Sequence, residues 1–161
     1  MQENLLENTT IVALSTPPGM SALALIRLSG EQALAITNKV FDKDISNAKG
    51  YSVHYGSIKN GENAIDDVIV TVFKGPKSFT GENIVEIACH GSTFIQQSII
   101  ELLLQNGATM AQAGEFSKRA FFNGKMDLSQ TEAIADLIHS TSAAAHQVAM
   151  NQMRGGFSND L

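Results

Sequence analysis

Two charged residues, Arg27 and Glu86, interrupt stretches of sequence that are otherwise strongly apolar. Removing a guanidinium or a carboxylate from water is costly without a partner, so each position requires a specific contact. Arg27 either meets a ligand, caps the end of a strand, or pairs with a carboxylate for structural reasons. Glu86 lies between Val85 and Ile87, where simple alternation on an exposed sheet face is the other interpretation.

A third candidate, Lys125, stands at the junction of two helical patterns within residues 114–138. The pattern before it predicts a short helix in which Lys118 and Arg119 stay in water while these residues form a buried face: Phe116, Ala120 and Phe121. Asn123-Gly124 is typical of a helix end. Ser129-Gln130-Thr131-Glu132 fits a capping box for the next helix. A lysine at such a junction is ordinarily only solvated, so its spacing alone assigns no role.

Other residues with chemical potential are weaker candidates. Cys89 and His90 are adjacent on a predicted strand and therefore point to opposite faces, which favours a buried structural thiol over a nucleophile beside a base. His139 and His146 have no cysteine or carboxylate at ligand spacing, so we expect no metal site. No segment matches the P-loop pattern G-x-x-x-x-G-K-[S/T], and we expect no GTP hydrolysis by this chain and no catalytic residue in it.

Composition narrows the class of protein further. The chain has 161 residues, 43% of them hydrophobic, which suffices for a core in one domain or in one domain plus an appendage. A formal charge of −5 argues against a broad phosphate-binding surface. The single cysteine excludes an internal disulfide and fits a reducing compartment. Residues 1–10 lack the features of a signal peptide, and no apolar run is long enough to span a membrane, so a cytoplasmic protein is expected.

Hydrophobic periodicity predicts an α+β fold with a mixed sheet and packed helices. The predicted strands and helices alternate in the order ββαβββαβ: strands at 11–15 and 23–28, a helix at 34–41, strands at 51–58, 68–73 and 84–88, a helix at 93–105, and a short strand at 109–113. Ser29-Gly30-Glu31-Gln32 has the spacing of a capping box for the first helix.

After residue 129 the pattern predicts one long α-helix. Its apolar side is formed by Ala133, Leu137, Ala144, Val148 and Met153. We therefore expect three regions: a mobile N-terminus at 1–9, a sheet domain at 10–124, and the first helix of a helical domain at 125–161. A lone helix with an apolar side must be covered by something, which indicates the N-terminal portion of a longer protein.

Four segments together resemble the MnmE (TrmE) family of tRNA-modification GTPases. They occur in the family's order and spacing and span nearly the whole chain: residues 10–19, 24–30, 76–91 and 114–138. The resemblance implies a folate-binding domain similar to that of the tetrahydrofolate-binding aminomethyltransferases. It also implies that Arg27, Glu86 and Lys125 bind the folate.

The chemistry of a reduced folate makes these residue types sensible. Its pterin ring presents an amino group and a ring N–H side by side, which one carboxylate, Glu86, can accept together. Its glutamate tail carries carboxylates that suit Arg27 or Lys125, and the sequence does not say which cation meets which part of the ligand. The sequence departs from the family pattern at Met20-Ser21-Ala22, where Arg-Gly-Gly is usual, so the resemblance leaves the affinity for folate open.

The family implies a larger role for the complete protein. The complete protein would be a homodimer, formed through the N-terminal domain, that binds 5-formyl- or 5,10-methylene-tetrahydrofolate. With an MnmG-like FAD protein it would modify C5 of the wobble uridine of tRNA, and a GTPase domain beyond residue 161 would bind GTP, Mg²⁺ and K⁺. The alternatives are a self-sufficient folate-dependent protein of the aminomethyltransferase kind and a dimerisation module with a decayed folate pocket.

Overall fold

A six-stranded mixed sheet with the strand order β3-β4-β5-β2-β1-β6 forms the centre of the molecule. The computed structural model describes residues 8–139 and 142–155. The strands are β1 Ile11–Leu14, β2 Leu23–Ser29, β3 Ser52–Asn60, β4 Asn63–Phe73, β5 Ile84–His90 and β6 Thr109–Met110. Neighbouring strands run antiparallel except β1 and β6, which are parallel. The predicted α+β class and mixed sheet are confirmed.

Five helices accompany the sheet in the described residues. They are α1 Ala33–Val40, α2 Thr93–Gln105, α3 Glu115–Phe122, α4 Leu128–His139 and α5 Ala143–Met153. α1 and α2 pack on the sheet, and α4 packs against α5. Up to β6 the order of strands and helices is the predicted ββαβββαβ.

One face of the sheet forms the hydrophobic core with α1 and α2. Alternate residues of the three central strands are buried on this face: Ala24, Ile26 and Leu28 in β2, Val68, Val70 and Val72 in β4, and Val85, Ile87 and Cys89 in β5. Fully burying an aliphatic side chain of this size contributes about 1.5–3 kcal/mol, so this face supplies much of the stability.

The opposite face, which we call the open face, carries the residues between those core positions. One row of cross-strand partners across this face comprises Val53, Thr71, Glu86, Arg27 and Ala13. The next row comprises Tyr55, Ile69, Ala88 and Leu25. Arg27 and Glu86 therefore lie at the middle of the sheet, with apolar neighbours along the adjoining row.

Residues 74–83 and helix α3 cover one end of the open face. At that end Ser29 is fully buried, and its hydroxyl lies 2.7 Å from the hydroxyl of Thr80. Ala120 of α3 is also fully buried. The remainder of the face stays uncovered: Tyr55 is 67% exposed and Ile69 is 46% exposed.

The prediction of one long C-terminal helix is wrong. Two helices, α4 and α5, occupy this part of the chain. Ser142 has an extended backbone, and its hydroxyl accepts a hydrogen bond from the amide of Ala145 at 3.1 Å, which begins α5. A serine side chain competes with helical hydrogen bonds, which favours Ser142 as the residue that begins a new helix.

Two predicted capping boxes are also wrong. At the start of α4 the reciprocal pair is Asp127 and Gln130: the carboxylate of Asp127 accepts from the amide of Gln130 at 2.7 Å, and the amide of Asp127 donates to the Gln130 side chain at 3.0 Å. At α1 the N-cap is Gln32, which makes no side-chain cap, because the Ser29 hydroxyl is bound to Thr80 and Glu82.

The expected regions can be compared with the structure only in part. Residues 1–7 of the expected mobile N-terminus lie outside the described residues, as do 140–141 and 156–161 of the expected helical region. Thr9, at the end of the expected N-terminal segment, accepts a hydrogen bond from Arg119 through its carbonyl oxygen at 2.7 Å.

Candidate functional site

Arg27 and Glu86 face each other across strands β2 and β5. They are direct cross-strand partners, and an Nη of Arg27 lies 3.7 Å from a carboxylate oxygen of Glu86. Their side chains are 25% and 18% exposed, so both charges are partly removed from water while remaining accessible. The structure thus brings together two of the three residues predicted from the sequence.

The contacts of Arg27 leave its hydrogen-bonding capacity largely unused. Its Nε is buried and has no hydrogen-bond partner among the described residues. The rings of Phe79 and Phe116 each lie 5.6 Å from its Cζ, within the range of a cation–π interaction. The Nε itself has no accessible surface, so a ligand would meet the outer part of the Arg27 side chain and the Glu86 carboxylate, both of which are partly exposed.

Lys125 lies at the turn after α3. Its amide donates to the carbonyl of Ala120 at 2.8 Å. The aliphatic stem lies beside Gly81, where an added Cβ would be 3.3 Å from Cγ of Lys125. Lys125 is exposed and makes no ion pair with a residue in 8–139 or 142–155. Its ammonium group is therefore available to an anion.

Arg119 is buried, so the prediction that it stays in water is wrong. Its side chain is 8% exposed and forms ion pairs with Glu82 at 3.1 Å and with Glu115 at 3.2 Å. It also donates to the hydroxyl of Thr9 at 2.8 Å. The helical pattern placed Arg119 on the polar side of α3, but the two carboxylates allow that side to be buried against residues 74–83.

Glu82 joins this ion-pair network to the sheet. The hydroxyl of Ser29 in β2 donates to the Glu82 carboxylate at 2.9 Å. From the turn after α3, the side-chain amide of Asn123 donates to the carbonyl of Thr80 at 2.7 Å. These bonds fix the segment that carries Phe79 against both the sheet and α3. The ring of Phe79 is thereby held beside Arg27.

Sequence reasoning overlooked the residues that surround Arg27. The rings of Phe79 and Phe116 lie beside Arg27, and the ion pair of Glu82 and Arg119 holds the segments that carry them. Of these residues, only Phe116 was recognised from its helical spacing as part of a buried face. A usable signal was present in the lone acid Glu82 and in Arg119, since two opposite charges beside apolar segments are candidates for a buried pair. Because Glu82 and Arg119 are far apart in the sequence, no local pattern indicates that they form an ion pair.

Cys89 and His90 lie in different surroundings, as predicted. Cys89 is 1% exposed in the core, and burial together with the charge of Asp66 raises the pKa of its thiol to about 11. The His90 side chain is 64% exposed, and its Nδ1 lies 2.9 Å from a carboxylate oxygen of Asp66. Within the described residues no three ligand-type side chains are grouped to hold a metal ion. The side chain of His139 lies outside that description.

Comparison with known proteins places this architecture in a family. A family model described as "GTP-binding protein TrmE N-terminus" matches residues 10–125, which include the sheet, α3, Arg27, Glu86 and Lys125. The chain belongs to the TrmE N-terminal family. The prediction made from the four sequence segments is confirmed.

Similar proteins named "tRNA modification GTPase MnmE" extend the TrmE match along the chain. The protein from Flavobacterium psychrophilum is 58% identical over 156 residues, covering 94% of this chain. That from Flavobacterium johnsoniae is 54% identical over 161 residues and covers 98% of it. The chain spans 34% of the length of each of these relatives. Among the described residues of this TrmE-family chain, no helix is long and apolar enough to cross a membrane.

Proposed function

We propose that this chain is the tetrahydrofolate-binding and dimer-forming N-terminal region of an MnmE-like tRNA-modification GTPase. The observation that carries the proposal is the partly exposed pair of Arg27 and Glu86, whose charged groups are 3.7 Å apart, with the rings of Phe79 and Phe116 beside the guanidinium. Their separation of 3.7 Å is longer than a hydrogen bond, so the pair leaves the partly exposed guanidinium and carboxylate able to bind a ligand.

The residues present fit a reduced folate. Glu86 supplies a carboxylate acceptor for the adjacent N–H donors of a pterin ring. Arg27 supplies a partly exposed guanidinium, and Lys125 supplies an exposed ammonium group, for carboxylates of the glutamate tail. Phe79 and Phe116 give the site apolar walls, which is typical of small-molecule sites with a few directed polar groups.

The bound folate, as its 5-formyl or 5,10-methylene derivative, would supply a one-carbon unit. In the complete protein, this carbon would become the methylene group added to C5 of the wobble uridine of tRNA, in cooperation with an MnmG-like FAD protein. GTP, Mg²⁺ and K⁺ would be bound by regions that the longer relatives possess. We assign the sheet domain to residues 10–124 and the beginning of a helical domain to 125–161, in a cytoplasmic protein.

Dimer formation would complete the site on the open face. Beside Arg27 and Glu86 the uncovered part of this face carries several large apolar side chains that are 46–67% exposed: Leu23, Val53, Tyr55 and Ile69. A group of exposed apolar residues of this kind indicates association. A second copy would cover them, and it would also cover the part of a long folate that extends beyond one protomer.

Calorimetric titration with 5-formyl-tetrahydrofolate tests the proposal. Replacing Glu86 by Gln turns one acceptor into a donor that would face the donors of the pterin, so we expect a loss of about 2–4 kcal/mol in binding free energy. Arg27→Ala should also weaken binding, and Lys125→Ala should weaken it less, because an exposed ammonium gains little from pairing.

Glu101→Gln is the matched control, since Glu101 is exposed on α2, at the other side of the sheet. Its affinity should equal that of the parent. Unchanged affinity in Glu86→Gln would place the folate elsewhere. Absence of binding by the parent would instead support a dimerisation module with a decayed pocket, for which the substitution at Met20-Ser21-Ala22 would be the first place to examine.

A further inference from the structure

We propose that Phe79 and Phe116 are positioning residues that hold the guanidinium of Arg27 ready for an anionic or carbonyl group of the ligand. This inference rests on the proposed folate site and adds two residues to it. Neither ring forms a hydrogen bond or an ion pair. The two rings restrain the side chain of Arg27, which binds the ligand.

The two buried or half-buried arginines of this region are held in opposite ways. Arg119 is held by hydrogen bonds to Thr9, Glu82 and Glu115, which occupy its donors. Arg27 has one ion contact, at 3.7 Å to Glu86, and two aromatic rings at 5.6 Å from its Cζ. Hydrogen bonds to Arg27 would consume the donors that a ligand needs. Aromatic contacts restrain a guanidinium and leave its N–H groups unoccupied.

The rings themselves are fixed by the bonds around them. Phe79 stands between Ser78, whose hydroxyl donates to the carbonyl of Glu82, and Thr80, whose hydroxyl lies 2.7 Å from that of Ser29. Phe116 follows Glu115, whose carboxylate pairs with Arg119. Arg119 in turn pairs with Glu82, so the ion-pair network joins the segment of one ring to the helix of the other.

The consequence for binding is pre-organisation. A guanidinium restrained before the ligand arrives loses less conformational freedom on binding than a freely rotating one. If a ring is replaced by leucine, the apolar contact remains but the electrostatic attraction to the ring face is lost. The guanidinium of Arg27 can then turn toward Glu86 and form hydrogen bonds with its carboxylate. We expect the dissociation constant for 5-formyl-tetrahydrofolate to rise about three- to tenfold for each such variant.

The test uses the full chain and two measurements on Phe79→Leu and Phe116→Leu. The first is the Nε–H signal of Arg27 in a ¹H–¹⁵N spectrum without ligand, assigned by its loss in Arg27→Lys. The nearby rings should shift this proton in the parent, and each leucine variant should move it toward the value of a free arginine. The second is calorimetric affinity for 5-formyl-tetrahydrofolate. Phe116→Tyr keeps a ring and should restore both values.

Phe122→Leu is the matched control, because Phe122 lies on the same helix and contacts Lys118 and Phe121 rather than Arg27. It should change neither the Arg27 signal nor the affinity. An Arg27 signal that is the same in parent and leucine variants would overturn the proposal, even if no folate binds. A shifted signal with unchanged affinity would overturn the positioning role while leaving the folate site intact. Absence of binding by the parent, with the ring-dependent signal present, would contradict the folate assignment.

Discussion

Cys89 and His90 show how far the environment of two consecutive residues in a strand can differ. The thiol of Cys89 points into the core, while the imidazole of His90 is largely exposed and contacts Asp66. Burial in apolar surroundings disfavours the thiolate, and the carboxylate of Asp66 disfavours it further. Cys89 is therefore a packing residue in this fold, and it should be chemically inert until the chain unfolds.

The stability of the protein should consequently decrease at high pH through Cys89. The thiol pKa rises from 9.0 to about 11 in the folded state, so the folded chain retains this proton at a pH where the unfolded chain has lost it. The contribution of the protonated Cys89 thiol to the free energy of unfolding is complete below pH 9.0 and is lost as the pH passes through about 11. Urea unfolding from about pH 8 to 10.5 should show a falling midpoint for the parent relative to Cys89→Ala. Parallel pH curves for the two proteins would contradict this assignment.

At the level of elements, the ion-pair network of Arg119 attaches α3 and residues 74–83 to the sheet. Arg119→Met should destabilise the protein by about 3–5 kcal/mol, because it leaves Glu82 and Glu115 as partly buried carboxylates without their cation. The midpoint of urea denaturation measures this effect. Lys118→Met is the control on the same helix, since Lys118 is exposed, and it should change the stability by less than about 0.5 kcal/mol. Equal effects of the two substitutions would show that the network contributes little.

The elements of the sheet domain were largely predictable from the sequence, since they depend on local periodicity. The helix Thr93–Gln105 ends where Asn106-Gly107 predicts, and the strand predicted at 23–28 around Arg27 is present at Leu23–Ser29. Errors arose where a side chain is used by a distant segment. Ser29 does not cap α1 because Thr80 and Glu82 bind it, and no pattern within a few residues of Ser29 contains that information.

In the candidate site, the charged residues were predictable from the sequence, and their aromatic neighbours were not. Charges in apolar strands identified Arg27 and Glu86, because the cost of burying a charge is a local property of the sequence. Their aromatic neighbours come from residues 79 and 116, and contacts between segments so far apart depend on the tertiary fold. The break between α4 and α5 shows a further limit: apolar spacing continued across Ser142, yet the capping preference of serine prevailed.

For the whole molecule, the main expectation is self-association through the open face. Tyr55→Asp places a charge among the apolar residues of that face, so we expect the dimer dissociation constant to rise about tenfold or more. Sedimentation at tens of micromolar protein measures the shift. Phe94→Asp is the control, because Phe94 is 76% exposed but lies on α2, behind the other face of the sheet. A parent protein that sediments only as a monomer would rule out the proposed assembly.

The contact between Thr9 and Arg119 joins positions separated by 110 residues, and this has a consequence for biosynthesis. A ribosome adding about 5–20 residues per second needs on the order of ten seconds to make the chain from one to the other. For part of that interval the nascent chain contains Glu82 without Arg119, and Arg27 without the ring of Phe116. The nascent chain can therefore form the hairpin of β3 and β4 early, but the surroundings of Arg27 are complete only after α3 has been translated.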